Sequence, residues 1–379
     1  MNICYICHEY PPLLNGGIGT FTKELAEGLA KQGHNVTVVG FYDQQNSIED
    51  FKLNGVRMVF LKKSKYISSI LDRLKLSISF KKINEKYHFD IVECPDFLGW
   101  GASIPRGKYV KVTRLHGTST YFSKELEIEN IKYFFWKAIE WMALLSSDNI
   151  VSVSHYTAKK TKSIFRLKNS IDIIHNAVTV SDVSEIKYND KCTKFIFAGS
   201  LLKKKGVIEL AKAWREFALI EPDATLTFVG KDPENNWPLI NEIMSSVSHS
   251  VDFRGAIPKE ELINLYNKYD CAIFPSHAEA FALAPMEAMD RGIPIIYSEL
   301  TSGKELLVDG VHGFLIDPKD FNNILNKLLL LSKLDRNSRE VIATAAKKHI
   351  KENFNFDCFL NKNTKYYENI LDRKNTYEL

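Results

Sequence analysis

Short apolar runs, separated by longer stretches with helical spacing, recur along the whole chain. In the first half the runs are Ile3–Cys7, Val36–Gly40, Ile91–Cys94, Tyr109–Leu115, Asn149–Val153 and Ile171–His175. A second series consists of Thr193–Gly199, Thr225–Gly230, Val251–Arg254, Cys271–Phe274 and Ile293–Tyr297. Continuous apolar runs are typical of strands buried on both faces of a parallel sheet, and stretches such as Lys23–Lys31 are typical of helices. The pattern predicts an α/β protein with two similar halves.

The two series are joined by a polar stretch without periodicity, Asn176–Asp190. A chain of 379 residues exceeds what one hydrophobic core usually serves. We therefore expect two domains with a hinge in this stretch.

Chemically suggestive residues concentrate just after the run Cys271–Phe274. Glu279 is predicted to lie in a loop beyond the carboxyl end of that strand. Pro285 is predicted to stand at the start of a helix, which then runs from Met286 to about Asp290. Glu287 is expected in the first turn of this helix. A helix amino terminus above a parallel sheet can bind phosphate, and two carboxylates nearby can accept hydrogen bonds from sugar hydroxyls. Two isolated glutamates would more often be structural or solvated, so these two residues alone do not indicate a ligand site.

The loop His8–Gly19 is rich in glycine. We expect its glycines to adopt positive φ and to let a ligand approach the backbone. Gly17 and Gly19 match the start of a dinucleotide-binding fingerprint, but Thr22 stands at its third glycine position and the preceding loop is too long. This argues against a nicotinamide or flavin cofactor.

Several of these segments together resemble retaining glycosyltransferase family 4. The matching residues are Glu279 to Glu287-Ala288, which resemble its E-x7-E element, Gly292-Ile293-Pro294, Glu305, Phe197-Ala198-Gly199 with Lys205-Gly206-Val207, and Glu9-Tyr10-Pro11-Pro12 with Gly16-Gly17-Ile18-Gly19. They occur in the family's order over about 300 residues, so the resemblance covers essentially the whole chain.

The resemblance implies the GT-B fold, in which two Rossmann-like, doubly wound α/β domains face each other across a cleft. Residues 1–178 would form the acceptor-side domain, and residues 179–356 the domain that binds a nucleotide-sugar. A last helix, at about residues 357–379, would pack back on the first domain.

The implied activity is transfer of a sugar from a nucleotide-sugar donor to a hydroxyl of a sugar or lipid-linked sugar, with retention, in bacterial surface polysaccharide or glycolipid assembly. The expected catalytic residues are Glu279, Lys205 and His116. Donor binding is expected at Gly17, Gly19, Gly199, Ser200, Phe281, Ala282, Leu283 and Glu287. Lys205 would stabilise the charge that develops on the leaving phosphate. The sequence contains no D-x-D pair placed to clamp a divalent ion, so neither a metal nor another cofactor is expected.

Three positions depart from the family pattern. Ser200 stands where arginine is common, and Ala280 and Ala282 replace the two glycines that usually follow the first glutamate. A pseudoenzyme that binds a nucleotide-sugar and scaffolds a partner therefore stays an alternative. A GT-B phosphorylase, or an enzyme that isomerises nucleotide-sugars, is another.

The segment Lys62–Lys86 is basic, and Ile67, Ile70, Leu71, Leu74 and Ile78 recur in it at helical spacing. It is either an ordinary surface helix with solvated lysines or an amphipathic helix that lies on an anionic membrane. The aromatic-rich stretch Tyr121–Leu145 is predicted to be a single helix whose apolar residues serve the core, with an acceptor-lipid groove as the alternative; these residues are Phe134, Phe135, Trp136, Ile139, Trp141 and Met142.

Charge and cysteine content add limits. A net charge of +4 argues against a nucleic-acid binder, and no run approaches the ~18 apolar residues of a membrane span. The amino terminus is unlike a secretory signal, so a cytoplasmic chain is expected, with a peripheral position at the inner face of the plasma membrane if the basic segment meets lipid. Cys4 and Cys7 lie three apart on a predicted strand, point to opposite faces and are expected to be core residues rather than metal ligands.

Overall fold

The computed structural model describes residues 1–11, 16–42, 49–64, 68–181 and 188–377. Pro12 of the amino-terminal motif, Lys65 and Ile67 of the basic segment, the middle of the predicted hinge and the last two residues lie outside the described residues. The chain forms two compact units. The first comprises Met1–His175 and Asp357–Leu379, and the second comprises Asn176–Phe356. The expected boundary, after residue 178, lies three residues beyond the observed one.

In the described part of the chain, the first unit has one eight-stranded sheet. Its strands are β1 (Asn2–Ile6), β2 (Asn35–Tyr42), β3 (Glu49–Leu53), β4 (Val56–Lys62), β5 (Ile91–Pro95), β6 (Val110–Leu115), β7 (Asn149–Ser152) and β8 (Asp172–Ile173). They lie in the order β3-β4-β2-β1-β5-β6-β7-β8, and all pairs are parallel except β3 with β4. The sequence reading missed this hairpin, although Asn54 and Gly55, both at positive φ, form the Asn-Gly turn that favours one.

The helices of the first unit are α1 (Gly17–Lys31), α2 (Ser68–Tyr87), α3 (Ser119–Glu125), α4 (Ile131–Leu145) and α5 (His155–Phe165). A further helical segment, Phe97–Ser103, follows β5. Two predictions are wrong here. α1 begins six residues before Lys23, and the stretch Tyr121–Leu145 contains two helices because Asn130 caps a new one by accepting from Tyr133 N–H.

The second unit has a parallel sheet that is six-stranded over its described residues. Its strands are β9 (Lys194–Ala198), β10 (Thr225–Val229), β11 (Val251–Phe253), β12 (Cys271–Phe274), β13 (Ile295–Ser298) and β14 (Phe314–Ile316), in the order β11-β10-β9-β12-β13-β14. Its helices are α6 (Val207–Ile220), α7 (Trp237–Ile243), α8 (Lys259–Tyr266), α9 (Leu283–Asp290), α10 (Gly303–Leu306), α11 (Phe321–Lys333) and α12 (Arg336–Asn353). Trp214 and Phe217 of α6 pack on Phe195 of β9 in the core.

The last helix, α13 (Phe356–Tyr377), joins the first unit through a buried polar network. The guanidinium of Arg114 donates to both carboxylate oxygens of Glu93 and to Asn363 Oδ1. Tyr367 Oη donates to Glu93 Oε2 at 2.7 Å. Because the buried charges of Arg114 and Glu93 are paired with each other, the network can hold α13 against β5 and β6.

Side-chain burial contradicts the core role expected for the aromatic stretch. Phe134, Phe135, Trp141 and Met142 of α4 are all exposed. The expectation that Cys4 and Cys7 are core residues is confirmed, since both are fully buried free thiols. Among the described helices, none combines the length and apolar character that crossing a bilayer requires.

Candidate active site

The candidate site of the second unit lies where β9 and β12 end. These strands are direct neighbours in the sheet and run parallel, so their carboxyl ends meet at one edge. The loop after β9 carries Lys205 and leads into α6, and the loop after β12 carries Glu279 and leads into α9. The fold therefore places the two predicted catalytic side chains of this unit beside each other, at the edge where open α/β sheets bind ligands.

Backbone contacts hold the two loops together. The carbonyl oxygen of Lys204 accepts hydrogen bonds from the N–H groups of His277 (2.8 Å) and Ala278 (3.3 Å). Gly206 has a φ of +70°, and a Cβ built on it would lie 1.8 Å from the carbonyl oxygen of Pro275. Glycine is required there both by the left-handed backbone and by the close approach of the other loop.

Lys205 and Glu279 form an ion pair between Nζ and Oε2, and both side chains are largely buried. Burial alone would raise the pKa of Glu279, but the charges of Lys205 and Lys204, and hydrogen bonds from Lys205 and the Ala280 N–H, lower that pKa below its ordinary value. Glu279 is therefore a carboxylate at neutral pH, with a cation already aligned beside it. Such a pair can orient hydroxyl groups and neutralise a phosphate.

A second pair beside the first was missed by the sequence reading. His277 Nε2 lies 3.0 Å from Glu209 Oε2 in the first turn of α6. Burial raises the pKa of Glu209, but the hydrogen bond and the charge of His277 outweigh it and lower the pKa. The only signal in the sequence is that His277 precedes Glu279 by two positions and Glu209 follows Lys205 by four. These spacings do not predict a contact between His277 and Glu209, because the contact depends on the two loops being neighbours in space.

Helix α9 begins three residues earlier than predicted, at Leu283, so Pro285 is its third residue and Glu287 lies in its second turn, not its first. Residues Ala282 and Leu283 stand at its amino terminus, where N–H groups have no partner within the helix. Ala282 has a φ of −73°, which alanine adopts without strain, and Ala280 has no positive φ. The exchange of two glycines for alanine is thus compatible with this backbone.

The other residues expected to bind the donor have partners inside the second unit. The Phe281 ring packs against Phe354 at 5.5 Å, and its carbonyl oxygen accepts from Asn176 Nδ2. Glu287 Oε1 lies 3.1 Å from Lys259 Nζ, a lysine that the sequence reading did not consider. Lys259 stands at the start of α8, and its side chain is 43% exposed.

Gly199 and Ser200 follow β9 directly and are half buried. Gly230, after β10, approaches so closely that a Cβ there would lie 1.9 Å from the carbonyl oxygen of Gly199. The loops that follow β9 and β10 are therefore closely packed, and Ser200 offers a short hydroxyl at the position where the family commonly has arginine.

In the first unit, His116 follows β6, and its backbone N–H is held by the buried carboxyl group of Asp96, whose pKa burial raises to about 8. Asp96 accepts hydrogen bonds from the N–H groups of His116 (2.8 Å) and Gly117 (3.1 Å). The ring of Phe21 stands edge-on to the His116 ring at 4.6 Å. Burial, helped by the charge of Arg114, lowers the pKa of His116 to about 3. The imidazole is therefore neutral at physiological pH, and its ring nitrogens can donate to or accept from sugar hydroxyls.

The glycine loop differs from its prediction. Gly16 is extended (φ −141°), and Gly17 and Gly19 lie in the first turn of α1, so positive φ is not the reason for these glycines. Gly19 N–H donates to Glu9 Oε1 at 2.9 Å, and a Cβ on Gly16 or Gly19 would collide with Glu9. A carboxylate thus occupies the amino terminus of α1, where a dinucleotide-binding fold would hold a pyrophosphate. Only Gly17 is exposed with open space around it.

Two α/β units, one with a mainly parallel and one with a wholly parallel sheet, and a lysine–glutamate pair where β9 and β12 end agree with the GT-B glycosyltransferases, and comparison with known proteins identifies this class. Residues 15–182 match the family model for Glycosyltransferase Family 4, and residues 182–349 match that for Glycosyl transferases group 1. The chain belongs to glycosyltransferase family 4, and it is a glycosyltransferase with the GT-B fold.

Individual relatives are distant but match over most of their length. An uncharacterized glycosyltransferase of Methanocaldococcus jannaschii is 25% identical, over 98% of this chain and 99% of its own. The capsular polysaccharide biosynthesis glycosyltransferase CapM of Staphylococcus aureus is 22% identical, over 64% and 67%. Among solved structures, sucrose-phosphate synthase from Thermosynechococcus elongatus has a TM-score of 0.83 at 17% identity, covering 98% and 99% of the two chains. Anabaena HepE in complex with UDP and glucose has a TM-score of 0.73 at 15% identity, covering 97% and 99%.

Proposed function

We propose that this glycosyltransferase moves a sugar from a nucleotide-sugar to a hydroxyl of a sugar or lipid-linked sugar, with retention at the anomeric carbon. The observation that carries the proposal is the Lys205–Glu279 pair at the carboxyl edge of β9 and β12, beside the amino terminus of α9. The complex of HepE with UDP and glucose supports a nucleotide-sugar as the donor class.

The proposed chemistry follows from the charges. As the donor's glycosidic bond to phosphate breaks, negative charge grows on the leaving diphosphate and positive charge on the anomeric carbon. Lys205 would turn from Glu279 to the phosphate and stabilise the negative charge of the leaving diphosphate. Lys204 and the first-turn N–H groups of α9 would add to this stabilisation. The released Glu279 carboxylate would accept hydrogen bonds from the donor sugar and stabilise the positive charge on the anomeric carbon. Glu287 would accept from the ribose hydroxyls after Lys259 moves away.

His116 is proposed to contact the transferred sugar as a neutral imidazole. The backbone N–H groups of His116 and Gly117 donate to Asp96, so this contact holds the backbone in place and does not use the ring nitrogens. Gly17 is proposed to let the donor approach the backbone, because nothing stands within 4 Å of where its side chain would be. We further propose that the reaction needs no metal ion, since lysines and helix N–H groups supply the positive charge.

The proposed setting is the assembly of bacterial surface polysaccharide or glycolipid in the cytoplasm, at the inner face of the membrane. CapM, whose name places it in capsular polysaccharide biosynthesis, supports this setting. The basic segment that contains α2 is proposed to bring the chain to anionic lipid.

A panel of UDP-, GDP- and ADP-sugars tests the proposal. Nucleoside diphosphate should be released from one nucleotide-sugar of the panel, and a sugar or lipid-linked acceptor should increase the release. EDTA should not abolish it. NMR of the product should show the donor's anomeric configuration. Donor binding without any turnover would favour a scaffold, and a requirement for inorganic phosphate would favour a phosphorylase. Loss of activity in EDTA that added Mg²⁺ restores would refute the metal-independent mechanism.

A further inference from the structure

A contact between two side chains joins the loop after β12 to the start of α6, apart from the Lys205–Glu279 pair. His277 Nε2 in the loop lies 3.0 Å from Glu209 Oε2 in the first turn of the helix. Both side chains are largely buried, His277 being 12% and Glu209 27% exposed. The chemistry proposed above uses neither of them, so the contact has no assigned role.

Glu209 is carried by a rigid element. Its helix, α6, is anchored in the core of the second unit by Trp214 and Phe217, which pack on β9. Glu209 stands four positions after Lys205, at the end of the helix that the Lys205 loop enters. Because α6 cannot shift without disturbing this core, Glu209 can fix the position of a loop that contacts it, here the loop of His277.

His277 contacts the Lys205 loop through its backbone as well. Its N–H donates to the Lys204 carbonyl oxygen at 2.8 Å, while its side chain contacts Glu209. The two contacts therefore lie on either side of Lys205 along the chain. Glu279 follows His277 by two positions, so the same two contacts also fix the loop that carries the catalytic glutamate.

The contact between His277 and Glu209 is independent of the ion pair between Lys205 and Glu279. In the proposed reaction Lys205 turns to the leaving phosphate, and the ion pair then no longer joins the loops. The His277–Glu209 contact involves neither side chain of that pair. It also needs no charge on the imidazole, since a neutral ring with its proton on Nε2 can donate to the carboxylate. The contact can therefore hold the two loops together while Lys205 moves.

We propose that His277 and Glu209 are positioning residues, which keep the Lys205 loop and the Glu279 loop at their working distance during sugar transfer. This rests on the proposed function, because the distance matters only if Lys205 and Glu279 act on the same donor. A role of Glu209 through its charge alone would have the opposite sign. A carboxylate near a diphosphate disfavours its binding, so removing Glu209 would then strengthen donor binding or raise kcat.

Nucleoside diphosphate release by the full chain, with the donor that the panel identifies, tests the proposal. Glu209→Ala and His277→Ala should each lower kcat about 10-fold, less than the ~100-fold that a 1 Å misplacement can cause. The KM for the donor should stay within about threefold of the wild type, because donor contacts are not removed. The double variant should lose no more than either single variant, since the two residues act as one unit.

Conservative variants separate positioning from charge and from size. Glu209→Gln and His277→Gln should each lower kcat less than about threefold, because each amide can replace the lost hydrogen-bonding group. The matched control is Glu216→Ala, seven positions further along α6, which removes a glutamate that pairs with Arg215 at the surface. Its kcat should stay within about twofold of the wild type. Circular dichroism and urea unfolding confirm that each variant is folded.

The possible outcomes separate this inference from the proposed function. An active wild type whose Glu209→Ala variant keeps its kcat or gains activity would overturn the positioning role and leave the proposed function in place. Equal losses in the alanine and glutamine variants would also overturn it, since a hydrogen bond would then not be what matters. A wild type without turnover on any donor would refute the proposed function, and the positioning role with it.

Discussion

Replacing Gly206 by alanine should damage both stability and activity, because this residue sets the spacing between the Lys205 and Glu279 loops. The left-handed conformation at φ +70° costs an L-residue about 1–2 kcal/mol. The new Cβ would also stand 1.8 Å from the Pro275 carbonyl oxygen, so one loop must move by more than 1 Å. Overpacking of this kind costs a further ~1–3 kcal/mol. The expected loss in the free energy of unfolding is the sum, about 2–5 kcal/mol.

The displacement should also separate Lys205 from Glu279. A misplacement of about 1 Å at a reacting centre can lower the rate about 100-fold, so kcat should fall by that order in the folded variant. Gly310→Ala is the matched control, since Gly310 has a φ of +76° and nothing within 4 Å of its Cβ position. It should lose about 1–2 kcal/mol and keep its kcat. Equal stability and activity in the two variants, by urea unfolding and nucleoside diphosphate release, would refute the role given to loop packing.

Two further predictions concern the first unit. Glu93→Gln should lower the free energy of unfolding by about 3–5 kcal/mol because it removes the charge that balances buried Arg114, whereas Tyr367→Phe should lower it by about 1 kcal/mol. Equal losses in urea unfolding would show that the charge is unimportant. The pKa of His116 is about 3 in the folded chain, and the ordinary histidine value of 6.5 applies to the unfolded chain. Between pH 3 and 6.5 the unfolded chain therefore binds a proton that the folded chain does not. Stability should therefore rise with pH across this window, and His116→Gln should reduce that slope by up to ~1.4 kcal/mol per pH unit. An unchanged slope would contradict the assigned burial of the ring.

The fold class could be predicted because parallel strands buried on both faces are written as continuous apolar runs. Lys205 and Glu279 could be selected because each follows such a run at its carboxyl end. The hairpin of β3 and β4 was missed, although the Asn54-Gly55 turn was visible.

The inner structure of the site could not be predicted, because main-chain groups form much of it. The Lys204 carbonyl that accepts from His277 and Ala278 is common to all residue types and leaves no mark in a sequence. Gly206 is the one trace of this contact. The Glu9 carboxylate at the start of α1 was hidden in the same way, since the distance from Glu9 to Gly19 along the chain says nothing of their approach.

The expectation for α4 failed for a different reason. Helical spacing shows that one face is apolar, but it does not show whether that face meets the protein or the outside. The deciding residue is Glu140, whose four hydrogen bonds draw the other face inward. A lone acidic residue opposite an apolar stripe was visible in the sequence, and its donors were not.

The most direct test of the central claim compares Lys205→Ala with Lys203→Ala at saturating donor. Both remove one lysine from the same run, but Lys203 is exposed and Lys205 pairs with Glu279. Removing a group that stabilises charge in the transition state lowers kcat about 100- to 1,000-fold. We predict a loss of that size for Lys205→Ala and a kcat within twofold of wild type for Lys203→Ala. A Lys205→Ala variant that is folded, binds the donor and keeps the kcat of Lys203→Ala would contradict the account.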